Sequence, residues 1–264
     1  MKPHLVMLHG WGFDRSCWPS PLIAQLKQHF EVILLNLPGH GEQPLHGLLE
    51  HDIEGACVER LDAWIQMQNQ ALPQRYHLLG WSLGGQVAIR MGHNNACVDR
   101  MVLLATNPKF AASDDWPRAM AEQSLVQFAQ GYGMNAAKTL RRFASLLALG
   151  AKQSKALAME LLPLMQPQAS KLVGLALLQT LDERQHLAQL TKACLIELAT
   201  EDALVPSNWM DAFDAAENIL LHQVTGSHAY VLQSQSLGRR IIDFLLPQEQ
   251  AQELASELTQ EALT

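Results

Sequence analysis

Gly80-Trp81-Ser82-Leu83-Gly84 sets a serine between two glycines. The apolar run Tyr76-His77-Leu78-Leu79 leads into it, and the helix-compatible run Gln86-Val87-Ala88-Ile89-Arg90-Met91 follows. A serine on a sharp strand-to-helix turn has its Oγ pushed above the sheet edge, and the glycines leave the backbone room to turn. The helix that starts there aims backbone N–H groups and a partial positive charge at the site. The chemistry on offer is nucleophilic attack by Ser82. The competing reading is a glycine-rich turn with an incidental serine.

A serine hydroxyl is a weak nucleophile at neutral pH, so it needs a base, and the base needs an acid to hold its tautomer. Sites of this kind run Ser, then Asp or Glu, then His along the chain. Late in the sequence the histidines to weigh are His222, inside an apolar run and so structural, and His228, in the loop Gly226-Ser227-His228-Ala229. His228 is the expected base. For the acid, Glu201 and Asp202 both follow the apolar run Ala193–Ala199. Asp202, just ahead of a turn and Pro206, is favoured over Glu201; Asp182 and Glu183 are weaker candidates, and Glu197 sits mid-strand. An oxyanion hole needs two backbone donors. The N–H of Leu83, the residue after the nucleophile, is one. The N–H of Trp11, in the turn His9-Gly10-Trp11-Gly12, is the other, and its ring can wall a pocket.

The elements that would carry these groups alternate. Leu5–Leu8, Glu31–Asn36, Tyr76–Trp81, Met101–Ala105, Ala193–Ala199 and Asn218–Val224 are apolar runs of strand length. Continuous apolar runs fit a parallel sheet buried on both faces. Helical periodicity falls near residues 18–29, 50–70 (Ile53, Cys57, Leu61 and Ile65 on one face), 206–215 and 234–246. The pattern breaks after Thr106: helical stretches near 115–131, 135–149, 153–165 and 168–181 come without a strand. The expected class is α/β: a mainly parallel central sheet with helices on both faces and a helical lid insertion. Residues 1–107 and 186–247 form the core, 108–185 the lid, and 248–264 a tail beyond Pro247.

Composition narrows the function further. A net charge of −7 argues against non-specific nucleic-acid binding. Neither a signal peptide nor a run of membrane-spanning length is visible. The four cysteines lack Cys-x-x-Cys spacing and suit reduced, mostly buried thiols in a cytoplasmic protein. The 11 histidines show no metal-binding spacing, and no Gly-x-Gly-x-x-Gly loop offers a dinucleotide site. No metal or cofactor is expected.

Taken together, the His-Gly-Trp-Gly turn, Leu37-Pro38-Gly39-His40-Gly41, the Gly-Trp-Ser-Leu-Gly-Gly turn, Asp202-Ala203-Leu204-Val205-Pro206 and the late Gly-Ser-His resemble the α/β-hydrolase family over roughly residues 4 to 246. Within it the chain looks most like the pimeloyl-acyl-carrier-protein methyl ester esterases of biotin synthesis. Asn107-Pro108-Lys109-Phe110, Asp115-Trp116-Pro117 and Arg142-Phe143 add to that likeness. The resemblance implies Ser82, Asp202 and His228 as the triad, Trp11 and Leu83 as oxyanion donors, and methanol as leaving group. It departs in its two leading strands, expected to be missing or vestigial, in Ala203 where glycine is familiar, and in a longer tail.

Trp81, Phe110, Trp116 and Phe143 are candidates for an apolar channel, with core packing the alternative for each. Residues 134–155 hold Lys138, Arg141, Arg142, Lys152 and Lys155 and no acidic residue. A basic patch on an acidic chain suits an acidic partner. With the resemblance added, Lys138, Arg142 and Lys155 become candidate contacts for an acyl carrier protein bearing the pimeloyl methyl ester. The expected protein is a monomeric serine carboxylesterase that also takes small esters. Rival readings are a general short-chain carboxylesterase, a thioesterase or a lyase of the same fold, and a non-enzymatic binding module.

Overall fold

The computed structural model describes residues 1–42 and 56–246. The amino end of the helix expected near 50–70, with Ile53, and the tail from Pro247 onward lie outside the described residues. In chain order the elements are β1 (His4–Leu8), α1 (Ser20–Lys27), β2 (Glu31–Leu35), α2 (Ala56–Ala71), β3 (Tyr76–Trp81), α3 (Leu83–Gly92) and β4 (Val98–Leu104). Then come α4 (Glu122–Met134), α5 (Ala136–Ala148), α6 (Ser154–Leu161), α7 (Leu172–Thr180) and α8 (Arg184–Ala188). The described residues close with β5 (Ala193–Ala199), β6 (Ile219–Val224), α9 (Tyr230–Gln233) and α10 (Leu237–Leu245).

The strands form one six-stranded sheet in the order β2-β1-β3-β4-β5-β6. Every pairing is parallel. Burial on both faces explains why the strands read as unbroken apolar runs: all six residues of β3 are buried, and so are Leu5–Leu8 of β1. The chain leaves β1 for β2 on one side, and leaves β3 for β4 on the other. The loops after β1 and β3 therefore diverge and open a crevice at the carboxyl edge, where ligands bind in such sheets.

The α4–α7 segment intervenes between β4 and β5 without adding a strand to this sheet. Its helices pack on one another, and α7 also packs on α2 and α3. On α5 the buried residues Leu140, Phe143, Ala144 and Leu147 recur at helical spacing, while Lys138, Arg141 and Arg142 face water.

Three boundaries differ from the sequence reading. The helix expected from residue 115 starts at Glu122, because residues 111–120 fold back through bridges between Ala111 and Met120 and between Ser113 and Trp116. The helix expected at 206–215 is a 3₁₀ turn, Ser207–Ala212, entered through Pro206. The last helix, expected from about Ser234, starts at Leu237 as α10, and it is preceded by a short helix that was not expected, α9, which closes with the Ser234 N–H on the Tyr230 carbonyl.

Candidate active site

Ser82 sits at the N-cap of α3 with φ 56° and ψ −120°, a region that non-glycine residues seldom occupy. Such strain costs about 1–3 kcal/mol and persists only where the surroundings enforce it. Here its N–H donates to the Leu104 carbonyl (2.9 Å), while its carbonyl accepts from Thr106 Oγ1 (2.7 Å) and the Gly85 N–H (2.8 Å). The glycines serve close approach. A Cβ at Gly80 would overlap the Gly84 carbonyl, and one at Gly84 would overlap the carbonyls of Leu8 and His9.

The candidate acid and base come from the loops after β5 and β6. The Asp202 and His228 side chains are each 1% exposed, with Oδ2 2.7 Å from Nδ1. Asp202 Oδ1 is already committed: it accepts the N–H groups of Leu204 (2.8 Å) and Val205 (2.9 Å). A carboxylate only accepts, so Nδ1 of His228 carries the proton and Nε2 is left to take one. The ring lies 5.9 Å from Trp81, the residue next to Ser82. Among the described residues no hydrogen bond joins Ser82 Oγ to His228; such contacts are often long without substrate and tighten in the complex.

Of the other acid and base candidates, Glu201 is exposed, and its backbone N–H donates to the Gly226 carbonyl (3.0 Å), tying the acid loop to the base loop. Glu197 is wholly buried and accepts from Arg240 (2.6 and 2.8 Å), and His222 Nδ1 lies 2.8 Å from it. That makes both Glu197 and His222 structural. Asp182 pairs with Arg184 and Lys109, and buried Glu183 with Arg90 and His186.

Two backbone donors stand open beside the serine. The Leu83 N–H begins α3, and neither it nor the Trp11 N–H has an acceptor among the described residues. A helix's first N–H groups are unsatisfied by construction and suit a developing negative charge. The turn that carries Trp11 is braced by two buried histidines in edge contact at 5.3 Å. His9 Nδ1 bonds the Gly10 carbonyl (2.8 Å) and its Nε2 accepts the Leu37 N–H (3.1 Å). His40 Nδ1 bonds the Pro38 carbonyl (2.9 Å) and its Nε2 accepts the Gly12 N–H (3.4 Å). Burial lowers the His9 pKa to about 4 and drives that of His40 well below the usual range, so both rings are neutral.

A cavity of about 290 Å³ opens on Ser82, Trp11, Phe110, Phe143 and Arg142. Its walls are mainly apolar, and Phe128 and Leu175, which no motif singles out, also line it. Trp11 meets Phe128, Tyr132 and Phe143 edge-on at 5.3, 5.4 and 4.9 Å. Helical spacing within 115–131 and 168–181 held Phe128 and Leu175 without marking either as a wall.

Two channel candidates lie elsewhere. Trp81 is wholly buried against Phe13 and Trp18 and does not line the cavity, because it belongs to the buried end of β3. Trp116 donates from Nε1 to Asn107 Oδ1 (3.0 Å) and packs on Trp209, which fixes it in the 111–120 fold-back outside the cavity.

Lys138, Arg142 and Lys155 are exposed on α5 and α6. None of them forms an ion pair among the described residues. Arg142 reaches the cavity, and Lys155 lines a separate groove between α5 and α6 together with Arg141 and Met159. Among the described residues no group of three or more His, Cys, Asp or Glu could hold a metal ion, and no helix is long and apolar enough to cross a membrane.

Residues 5–237 match the alpha/beta hydrolase family. A pimeloyl-[acyl-carrier protein] methyl ester esterase of Nitrosomonas europaea is 33% identical over 217 residues, which cover 79% of this chain and 82% of that protein. The protein of the same name from Aeromonas salmonicida is 32% identical, covering 89% of this chain and 88% of its own. Among solved structures, an esterase from Exiguobacterium antarcticum superposes with a TM-score of 0.77 at 17% identity, over 92% of this chain and 91% of its own.

Proposed function

The chain belongs to the α/β-hydrolase family and is a carboxylic ester hydrolase, and from that premise we propose that it removes the methyl group from pimeloyl-acyl-carrier-protein methyl ester by a Ser82–His228–Asp202 mechanism. Ser82 Oγ attacks the ester carbonyl as His228 Nε2 takes its proton. The N–H groups of Trp11 and Leu83 hold the tetrahedral oxyanion. His228 returns the proton to the departing methanol, then draws one from a water that attacks the acyl-enzyme. Pimeloyl-acyl-carrier protein, now with a free carboxylate, leaves and Ser82 is restored. Asp202 stays ionised throughout and holds the ring.

The observation that carries this reading is the fixed Asp202–His228 pair beside a strained serine that opens on an apolar cavity. The substrate assignment rests on the relatives named above and on the unpaired basic face of α5 and α6. In this reading α4–α7 form the lid, Arg142 stands at its cavity, and Lys138 and Lys155 meet the acidic carrier.

The test is methanol release from pimeloyl-acyl-carrier-protein methyl ester, beside hydrolysis of a short p-nitrophenyl ester. Ser82→Ala should abolish both. Lys138→Glu with Lys155→Glu should raise KM for the carrier substrate about tenfold and leave the short ester within twofold. Equal effects on both substrates favour a general short-chain esterase.

A further inference from the structure

Among the described residues three charged side chains are buried away from the triad: Glu183, Glu197 and Lys171. The two glutamates have cationic partners, Arg90 and Arg240. Lys171 is 2% exposed and has no carboxylate bonded to it among the described residues. Its Nζ donates to two main-chain carbonyls, Gly12 (2.6 Å) and Gln166 (2.7 Å). Burying a charge with only neutral partners is unfavourable, so a side chain kept there needs a reason.

The place it touches supplies one. Gly12 follows Trp11, whose free N–H is an oxyanion donor in the mechanism proposed above. Around that donor the turn is held on every side. The Gly10 carbonyl accepts the Phe13 N–H (3.4 Å), His40 holds the Gly12 N–H, and Lys171 holds the Gly12 carbonyl. The grip is reciprocal, because Trp11 Nε1 donates to the Lys171 carbonyl (2.9 Å).

The residues flanking Lys171 tie the same segment to the neighbouring turn. Ser170 Oγ donates to the Gly39 carbonyl (2.8 Å). Gly174 lets α7 approach so closely that a Cβ there would lie 2.6 Å from the Trp11 ring and 2.7 Å from His40. Gly12 has φ +87°, a conformation open to glycine that leaves its carbonyl turned to the Lys171 ammonium.

We infer that Lys171 is a positioning residue for ester hydrolysis: its ammonium, reaching from the helical segment to the Gly12 carbonyl, fixes the Trp11 N–H toward the oxyanion and sets a positive charge beside it. This rests on the serine-esterase reading of the site. Desolvation also lowers the Lys171 pKa to about 8, with Asp14 acting the other way. The other titratable groups that feel it, His9 and His40, change charge well below neutrality and leave the window above pH 7 clear.

The test is Lys171→Met on the full chain, with Lys171→Gln as a second neutral variant. Both are assayed on a short p-nitrophenyl ester, with kcat normalised by fluorophosphonate titration of Ser82. Losing a whole oxyanion donor costs about 10²–10³ in kcat, so misaligning one should cost at least about tenfold with KM within twofold. In the native enzyme kcat should fall as pH rises through about 8, while thermal stability rises because the neutral amine is easier to bury. A purely structural lysine would not move the two in opposite directions. A kcat within twofold of native in a folded variant, or a native kcat flat from pH 7 to 9, overturns the inference. Failure of the native enzyme to take up fluorophosphonate or cleave the ester would instead strike the esterase reading itself.

Discussion

Asp202→Asn probes the site with a change of one atom. In the native carboxylate each oxygen has a fixed duty. Oδ1 accepts from the N–H groups of Leu204 and Val205 at 2.8 and 2.9 Å, and Oδ2 faces His228 Nδ1 at 2.7 Å. Asparagine has one oxygen to place. If the NH₂ takes the Oδ1 position, two backbone donors lose their acceptor, at about 1–3 kcal/mol each. If it takes the Oδ2 position those bonds survive, but two donors face one another across 2.7 Å. The imidazole then moves its proton to Nε2, which costs far less. In that tautomer Nε2 cannot accept the Ser82 proton.

The chemical step should therefore slow by about 10⁴, or about 5.5 kcal/mol of barrier, with KM little changed. The assay is burst and steady-state hydrolysis of a short p-nitrophenyl ester at pH 7, alongside the rate of fluorophosphonate labelling, which should fall in parallel. The melting temperature should stay close to native, since the backbone bonds to Oδ1 are kept. A variant that retains more than a tenth of native kcat would refute the assignment of Asp202 as the residue that sets the His228 tautomer.

Two further outcomes concern stability. The buried His9 and His77 have pKa values lowered to about 4, and that of His40 is well below its usual value. Below pH 6.5 the unfolded chain binds protons that the folded one refuses, so stability is whole above that pH and lost on descent, by about 2 kcal/mol each for His9 and His77 between pH 7 and 5. Urea melts should show that fall, and His77→Leu should remove its share; a midpoint unchanged from pH 7 to 5 would contradict it. Gly84→Ala drives a Cβ into the carbonyls of Leu8 and His9, and should destabilise by about 3 kcal/mol or more in the same melts. Native-like stability would mean that α3 can shift away from β1.

The parallel sheet was legible because buried strands carry unbroken apolar runs. Ser82 was legible because a strand that runs into a helix through a serine needs glycines on both sides only when the turn is unusually tight. Asp202 and His228 could be found from chain order and from their place just past a strand. Other features lay beyond sequence reasoning for physical reasons. Trp81 is next to the serine in sequence, yet a step of one residue at a strand end changes the direction of the side chain, and it is buried in the core. The Ser207–Ala212 turn and the late start of α4 depend on Pro206 and on pairing between residues 111 and 120, which local periodicity does not report. No motif singles out Lys171. Its burial depends on a turn 159 residues away in the chain.

The parallel sheet also gives the molecule an idle side. The candidate site gathers where the strands end, and the strands begin, at His4, Glu31, Tyr76, Val98, Ala193 and Ile219, on the opposite edge. Strands of five to seven residues put roughly 15–20 Å of sheet between the two edges. A fluorophore, tether or surface attached ahead of β1, where Met1 is exposed, would stand behind the enzyme and leave the mouth of the cavity unobstructed. The orientation of an immobilised layer is thus set by strand direction alone.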